Sequence, residues 1–172
     1  MEQKIIDLVR EAKPKYLQNY DNFQPGEDYV MYSGQLWDER ELAAAVKSLL
    51  TGKWISAGER VEQFQIRFSK RYKVKASHMV NSGSSANLVM VAALKKHLKW
   101  NDGDEVIVSP VGFPTTIAPL VQNNLKPVFV DINEHDFLID CEKIKKKISK
   151  KTKAIIVVNL YGQCADYKSL IR

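Results

Sequence analysis

Apolar positions follow a helical period through the first part of the chain and then give way to short unbroken runs. The opening MEQKIIDLVREAK has the amphipathic spacing of a helix. DERELAAAVKSLLTG starts on acidic residues, carries apolar side chains at helical intervals and stops at Gly52, which predicts a second helix. ERVEQFQIRFSKRY repeats the pattern after the short connector KWISAG, and its spacing points Val61, Phe64, Ile66 and Phe68 inward. Between the first two helices, KPKYLQNYDNFQPGEDYVMYSGQLW shows no period. Its aromatic residues suit an arm laid along another surface.

From Ala76 onward strands and helices alternate. HMVNS, EVIVSP, PVFVDI and KAIIVVNL read as strands, and SSANLVMVAALKKHL, TTIAPLVQNN and CEKIKKKIS as the helices between them. Continuous apolar runs, rather than alternating ones, are what strands of a parallel sheet show when helices cover both faces. The expected class is α/β, a three-layer α/β/α arrangement with a mostly parallel sheet. The sequence stops at Leu170-Ile171-Arg172, just where a helix should begin after the turn YGQCAD. The last strand is therefore expected to lack a full crossover helix.

Composition narrows the picture only a little. The chain has 172 residues, 45% hydrophobic and 27% charged, an ordinary globular balance. No apolar run reaches the roughly 18 residues of a spanning helix. The start has no apolar signal core or small-residue cleavage site, so a cytoplasmic address is expected. Cys141 and Cys164 are far apart, without metal-ligand spacing, and read as two free thiols. The net charge of +6 comes largely from EKIKKKISKKTK, Glu142 to Lys153. Nucleic acid could bind there, but Ile144 and Ile148 recur at i, i+4, as in the buried stripe of a helix with solvated lysines. No aromatic residues interleave the lysines as single-strand binding would want.

Candidate chemistry sits at two corners. In VNSGSSANLVMVAAL a strand breaks into Gly83, Ser84 and Ser85 before a helix. A helix N-terminus offers unpaired N–H groups and a partial positive charge, which suits phosphate. Neither a P-loop signature nor GxGxxG is present, and an N-capping serine on a glycine turn would also explain the residues. The second corner, PVGFPTTIAPL, sets Phe113 between Gly112 and Pro114 at a strand's carboxyl end, where ligands of open α/β sheets bind. Phe113 either stacks on a planar ring or plugs the core. Together the two corners describe a phosphorylated planar cofactor.

The order WISAGERVEQFQ, VNSGSSANL, DGDEVIVSPVGFPTT, LKPVFVDI, TKAIIVVNLYGQCAD resembles the pyridoxal-phosphate-dependent sugar aminotransferases of the DegT type, in the fold type I group. MYSGQLWDERELAAAV and GFPTT look closest to the branch of nucleotide-sugar 3-dehydratases acting on 4-keto-6-deoxyhexoses. The resemblance implies a cofactor, pyridoxal 5′-phosphate or pyridoxamine 5′-phosphate. Gly83, Ser84 and Ser85 would hold its phosphate and Phe113 would stack on its ring. It also implies that Trp54 and Gly58 approach a nucleotide-sugar substrate and that Asn87 braces the corner. Residues 1–31 would form a helix and arm, and 32–172 an incomplete N-terminal part of the fold type I large domain.

In that family an Asp partners the pyridine nitrogen, and a lysine, or in the dehydratases a histidine, stands at the cofactor's reactive carbon. The resemblance places both beyond Arg172. His78, His97 and His135 fall in a strand, on a lysine-rich helix and in a loop, and none matches those motifs. By the same resemblance HMVNS would have no sheet neighbours here, while EVIV, PVFV and AIIVV could still pair. The expectation is the N-terminal part of a longer enzyme, inactive alone. Family members are dimers, so the full-length enzyme would be a homodimer, or a second chain would supply the remainder. Alternatives are a sugar aminotransferase of the same family and a non-catalytic remnant that binds a partner chain. A nucleic-acid module on the lysine run ranks last; neither nucleic acid nor membrane is an expected partner.

Overall fold

The computed structural model describes residues 2–12, 23–30, 38–53 and 56–171. It divides into two compact units, Met1–His78 and Met79–Arg172. Most of the aromatic arm, and Trp54, lie outside the described residues.

The first unit holds three helices, α1 (Glu2–Ala12), α2 (Glu39–Thr51) and α3 (Glu59–Tyr72), close to the stretches their periodicity predicts. A capping box starts α2: the Asp38 carboxylate accepts from the Arg40 amide at 2.8 Å, and Glu41 accepts from the Asp38 amide at 2.7 Å. Arg10 of α1 donates to Glu39 of α2 at 2.7 Å. The inward assignment of α3 does not hold. Ile66 is 62% exposed and Phe64 and Phe68 are exposed, while Val61 is only half-buried. Phe64, Phe68 and Tyr72, spaced four apart, stack along one helix face with ring centroids 5.7 and 4.5 Å apart. The aromatic residues of α3 thus cover one another instead of entering a core.

The second unit begins with helix α4 (Gly83–His97) and continues as β1 (Glu105–Val108), α5 (Ala118–Gln122), β2 (Lys126–Phe129), α6 (Cys141–Lys147), β3 (Thr152–Ile156) and α7 (Tyr167–Leu170). TTIAPLVQNN splits, with a 3-10 turn at Pro114–Thr116 preceding α5. The three strands are parallel in the order β2-β1-β3. HMVNS is not a strand: 78–80 has no regular secondary structure and no ladder partner, so His78 stands in a loop. A strand is defined by its neighbours, and the three that pair do so among themselves.

Side chains alternate across a strand, so β1 feeds two cores. Val106 and Val108 pack on one face with Val91 of α4, Leu120 of α5 and Leu125. Ile107 packs on the other with Val130, Ile139 and Ile144 of α6. Helices on both faces of a parallel sheet make the expected three layers. Only the central strand is nearly all buried, because β2 and β3 each have an open edge. In the lysine-rich segment Ile144 is buried as expected. Ile148 is not, at 56% exposed, because α6 ends at Lys147 and turns it off the stripe.

Leu120, fully buried in this core, should be costly to truncate: Leu120→Ala is expected to lower unfolding free energy by about 2–5 kcal/mol in a denaturant titration. Asp140 caps α6 by accepting from the amides of Lys143 and Glu142, and these bonds hold its carboxyl below the usual range. A folded-state pKa lower than the unfolded one gives stability that is present above the unfolded value, about 4, and lost as pH falls through the folded value. Asp140→Asn keeps a capping oxygen but cannot titrate, so its acid-unfolding profile should be flatter than that of the parent chain.

Candidate functional site

The corner at the start of α4 is built by Ser82. Held in extended backbone, it accepts from the Ser85 amide through its hydroxyl at 3.1 Å and from the Ala86 amide through its carbonyl at 3.0 Å. The N-capping explanation is therefore correct, but it belongs to Ser82 and uses only part of the turn. Among the described residues, no protein acceptor meets the amides of Gly83 and Ser84. The first turn of α4 carries no acidic side chain, while Lys95, Lys96 and His97 stand in its last turn. The carboxyl end of this helix dipole is thus compensated by cations and its amino end is left positive.

Phe113 arrives from the sheet. After β1 the chain turns at the buried Ser109, whose hydroxyl accepts from the Val111 amide at 3.1 Å, and passes through Gly112 at φ +156°. That backbone state favours glycine, so a side chain at Gly112 would be strained although space is available beside Val158. Phe113 is 68% exposed, which removes the reading that it plugs the core.

Two hydrogen bonds join the corners. Ser84 donates to the Thr115 hydroxyl at 3.0 Å, and the Asn87 side-chain amide donates to the Thr115 carbonyl at 3.3 Å. The loop two residues after Phe113 is thereby pinned to the first turn of α4. The bond made by Asn87 is a bracing one, in line with what the family resemblance implies. Thr115 escaped the sequence reading. The only hint was its place in GFPTT, since a threonine two residues beyond an aromatic has no motif of its own.

The carboxylates with depressed pKa lie elsewhere. Lys95 lowers that of Asp102, and Ser149 and Lys126 lower that of Glu105, both toward the amino end of β1. These are ion pairs that fasten the sheet, not groups poised at the corner. No cluster of three or more His, Cys, Asp or Glu side chains among the described residues could hold a metal ion. His97 ends the helix that Gly83 begins, roughly 20 Å away at 1.5 Å per residue. His135 lies in the turn after β2.

Gly58 belongs to the first unit, where it caps α3 without a side-chain hydrogen bond. It lines a cavity of about 700 Å³ between the end of α2 and the start of α3, together with Lys53, Ser56 and Arg60.

The profile of the DegT/DnrJ/EryC1/StrS aminotransferase family matches residues 37–172. The chain belongs to this family. Among curated DegT-type relatives it is 43% identical over 138 residues to GDP-4-keto-6-deoxy-D-mannose 3-dehydratase of Yersinia pseudotuberculosis, covering 79% of this chain and 35% of that protein. It is 34% identical over 169 residues to dTDP-4-dehydro-2,6-dideoxy-D-glucose 3-dehydratase of Saccharopolyspora spinosa, covering 91% and 36%. The crystal structure of the E. coli GDP-4-keto-6-deoxy-D-mannose-3-dehydratase with bound hydrated pyridoxal phosphate superposes with a TM-score of 0.73 at 39% identity. It covers 80% of this chain and 36% of that one. Helicobacter pylori PseC, an aminotransferase of pseudoaminic acid biosynthesis, superposes with a TM-score of 0.71 at 28% identity, covering 81% and 36%. The chain spans about a third of the length of these DegT-type relatives.

Thr115→Val keeps the shape and removes the hydroxyl that accepts from Ser84. It should cost about 0.5–1.5 kcal/mol of stability and speed amide hydrogen exchange across 110–117 and the first turn of α4, read by mass spectrometry.

Proposed function

We propose that this chain is the cofactor-gripping part of a pyridoxal- or pyridoxamine-phosphate-dependent enzyme that acts on a nucleotide-linked keto-deoxy sugar. The reaction favoured is 3-dehydration of a 4-keto-6-deoxyhexose, in cytoplasmic deoxysugar or surface-polysaccharide biosynthesis. The observation that carries the reading is the joined pair of corners: open amides and serine hydroxyls at an uncompensated helix N-terminus, tied through Thr115 to an exposed phenyl ring. A phosphorylated planar group fits those residues. Gly83 and Ser84 would take the phosphate through their N–H groups and Ser85 through its hydroxyl, while the Ser84 hydroxyl holds Thr115 and Phe113 covers one ring face. When bound, such a cofactor supplies the electron sink that chemistry beside a keto carbon requires.

The substrate assignment rests on the dehydratase names among the relatives and on the cavity beside Gly58, whose Lys53 and Arg60 suit a diphosphate-linked sugar. Trp54 is assigned to the same substrate from the family motif. Transamination is the second reading, because sugar transaminases match as well. We further propose that these residues bind cofactor without turning over. Lys95, Lys96 and His97 sit at the wrong end of α4, and its first turn carries no acidic side chain. The apolar outer face of α4, with Val89 54% exposed, and the unpaired edge of β3 suit cover by a second copy or by a chain completing the sheet.

Pyridoxamine phosphate is the probe of choice, since it lacks the aldehyde that reacts with surface lysines. It should quench tryptophan emission and bind at least about tenfold more tightly than pyridoxamine without its phosphate. Ser85→Asp, which sets a like charge at the phosphate position, should abolish the difference, and Phe113→Ala should weaken binding by about fivefold or more. Equal affinity for the two probes would sink the assignment of the corner.

A further inference from the structure

The two cysteines, far apart in sequence, open onto one cavity of about 390 Å³ in the second unit, lined also by Asp140, Glu142, Asp166 and Ser169. Cys141 is the first residue of α6, and its sulfur lies 3.9 Å from the carbonyl oxygen of Asp166. Cys164 stands two residues before Asp166 and is exposed. The segment that carries it is held in place. Buried Ala165 donates its amide to the Asn159 side chain at 3.2 Å, and the Tyr167 hydroxyl donates to the same oxygen at 3.0 Å. A thiol partly buried at a helix start therefore faces an anchored strip bearing an accessible thiol. A metal role does not compete, since no sufficient ligand cluster exists among the described residues.

We propose that Cys141 and Cys164 form a redox modification site, closing a reversible disulfide when the chain meets hydrogen peroxide. Cys164 reacts first because it is accessible. Its thiolate attacks one peroxide oxygen, hydroxide leaves and takes up a proton as water, and Cys164 becomes a sulfenic acid. The Cys141 sulfur then attacks the Cys164 sulfur, displacing a second water and leaving the S–S bond. Peroxide accepts the two electrons that the thiols lose, and a dithiol reverses the change by becoming a disulfide itself. Burial and the neighbouring carboxylates of Asp166, Asp140 and Glu142 push the Cys141 thiol pKa up, consistent with Cys141 as the second partner. The bond would staple the start of α6 to the strip before α7, on the face of the sheet opposite α4.

The test is a peptide map of the full chain, kept dilute, treated with stoichiometric hydrogen peroxide and alkylated without reduction. The expected product is a monomer with the Cys141 and Cys164 peptides joined, two hydrogens lighter than the separate pair, and released by dithiothreitol. Cys141→Ser should instead leave a dimedone-trappable sulfenic acid on Cys164, and Cys164→Ser should leave Cys141 open to alkylation. If either variant fails to fold, the map of the unsubstituted chain decides alone. Cys164 oxidised or joined between two molecules, with Cys141 still alkylated, overturns the proposal.

Discussion

Enclosure of β1 is the constraint from which the rest of the second unit follows. Val106, Ile107 and Val108 are withdrawn from water on both faces, and β2 and β3 occupy both edges. A strand so placed has one exit at each end. Its amino end is fastened by Glu105, which accepts from Lys126 and Ser149. Its carboxyl end must therefore release the loop that carries Phe113. The turn between α4 and β1 is short, so the helix runs back along the strand and its first residues lie where the strand ends. Meeting of the serine turn and the phenyl loop is thus a product of strand burial and chain direction. The Ser84–Thr115 bond only sets the distance between them.

Much of this is legible in the sequence. Short unbroken apolar runs marked the three parallel strands because both faces of a parallel sheet are covered. Gly52 marked the end of α2 because its helix stops there. What misled was periodicity read without a partner. Phe64, Ile66 and Phe68 have helical spacing, yet spacing says which face is apolar and not that anything covers it. Ile148 failed for a local reason, since one residue past a helix end the angular relation to Ile144 is gone. HMVNS has strand-like local composition but no ladder, as the family resemblance implies, because strand identity depends on neighbours that a local pattern does not report. Gly83, Ser84, Ser85 and Phe113 stand out by residue type and position, and the structure joins their two turns without showing what they hold. Thr115 does not stand out, because its role exists only once two distant turns meet.

Helix α4 carries a further consequence. Its central residues, Leu88 to Leu94, are apolar around the whole circumference, yet among them only Val91 is buried. A helix apolar on every side is suited to burial on more than one. The sheet takes one side here. The remaining apolar faces of α4, which presents the serine turn, stand exposed to water. Cover at α4 would exclude water from that turn as well, and donors to an anion act more strongly in a drier site.

Electrostatics separate gripping from reacting. The donors at the corner are amides and hydroxyls, which hold an anion without exchanging protons near neutral pH. Carboxylates with lowered pKa are spent on helix caps and sheet ion pairs, as at Asp140, Asp102 and Glu105, and the cations of α4 stand at its far end. On the proposed reading, a corner of this kind would fix a charged, flat molecule by its phosphate and one face. The other face would stay open to groups able to move protons. On that reading those groups would approach from the side away from Phe113, whose exposed ring would cover the near one.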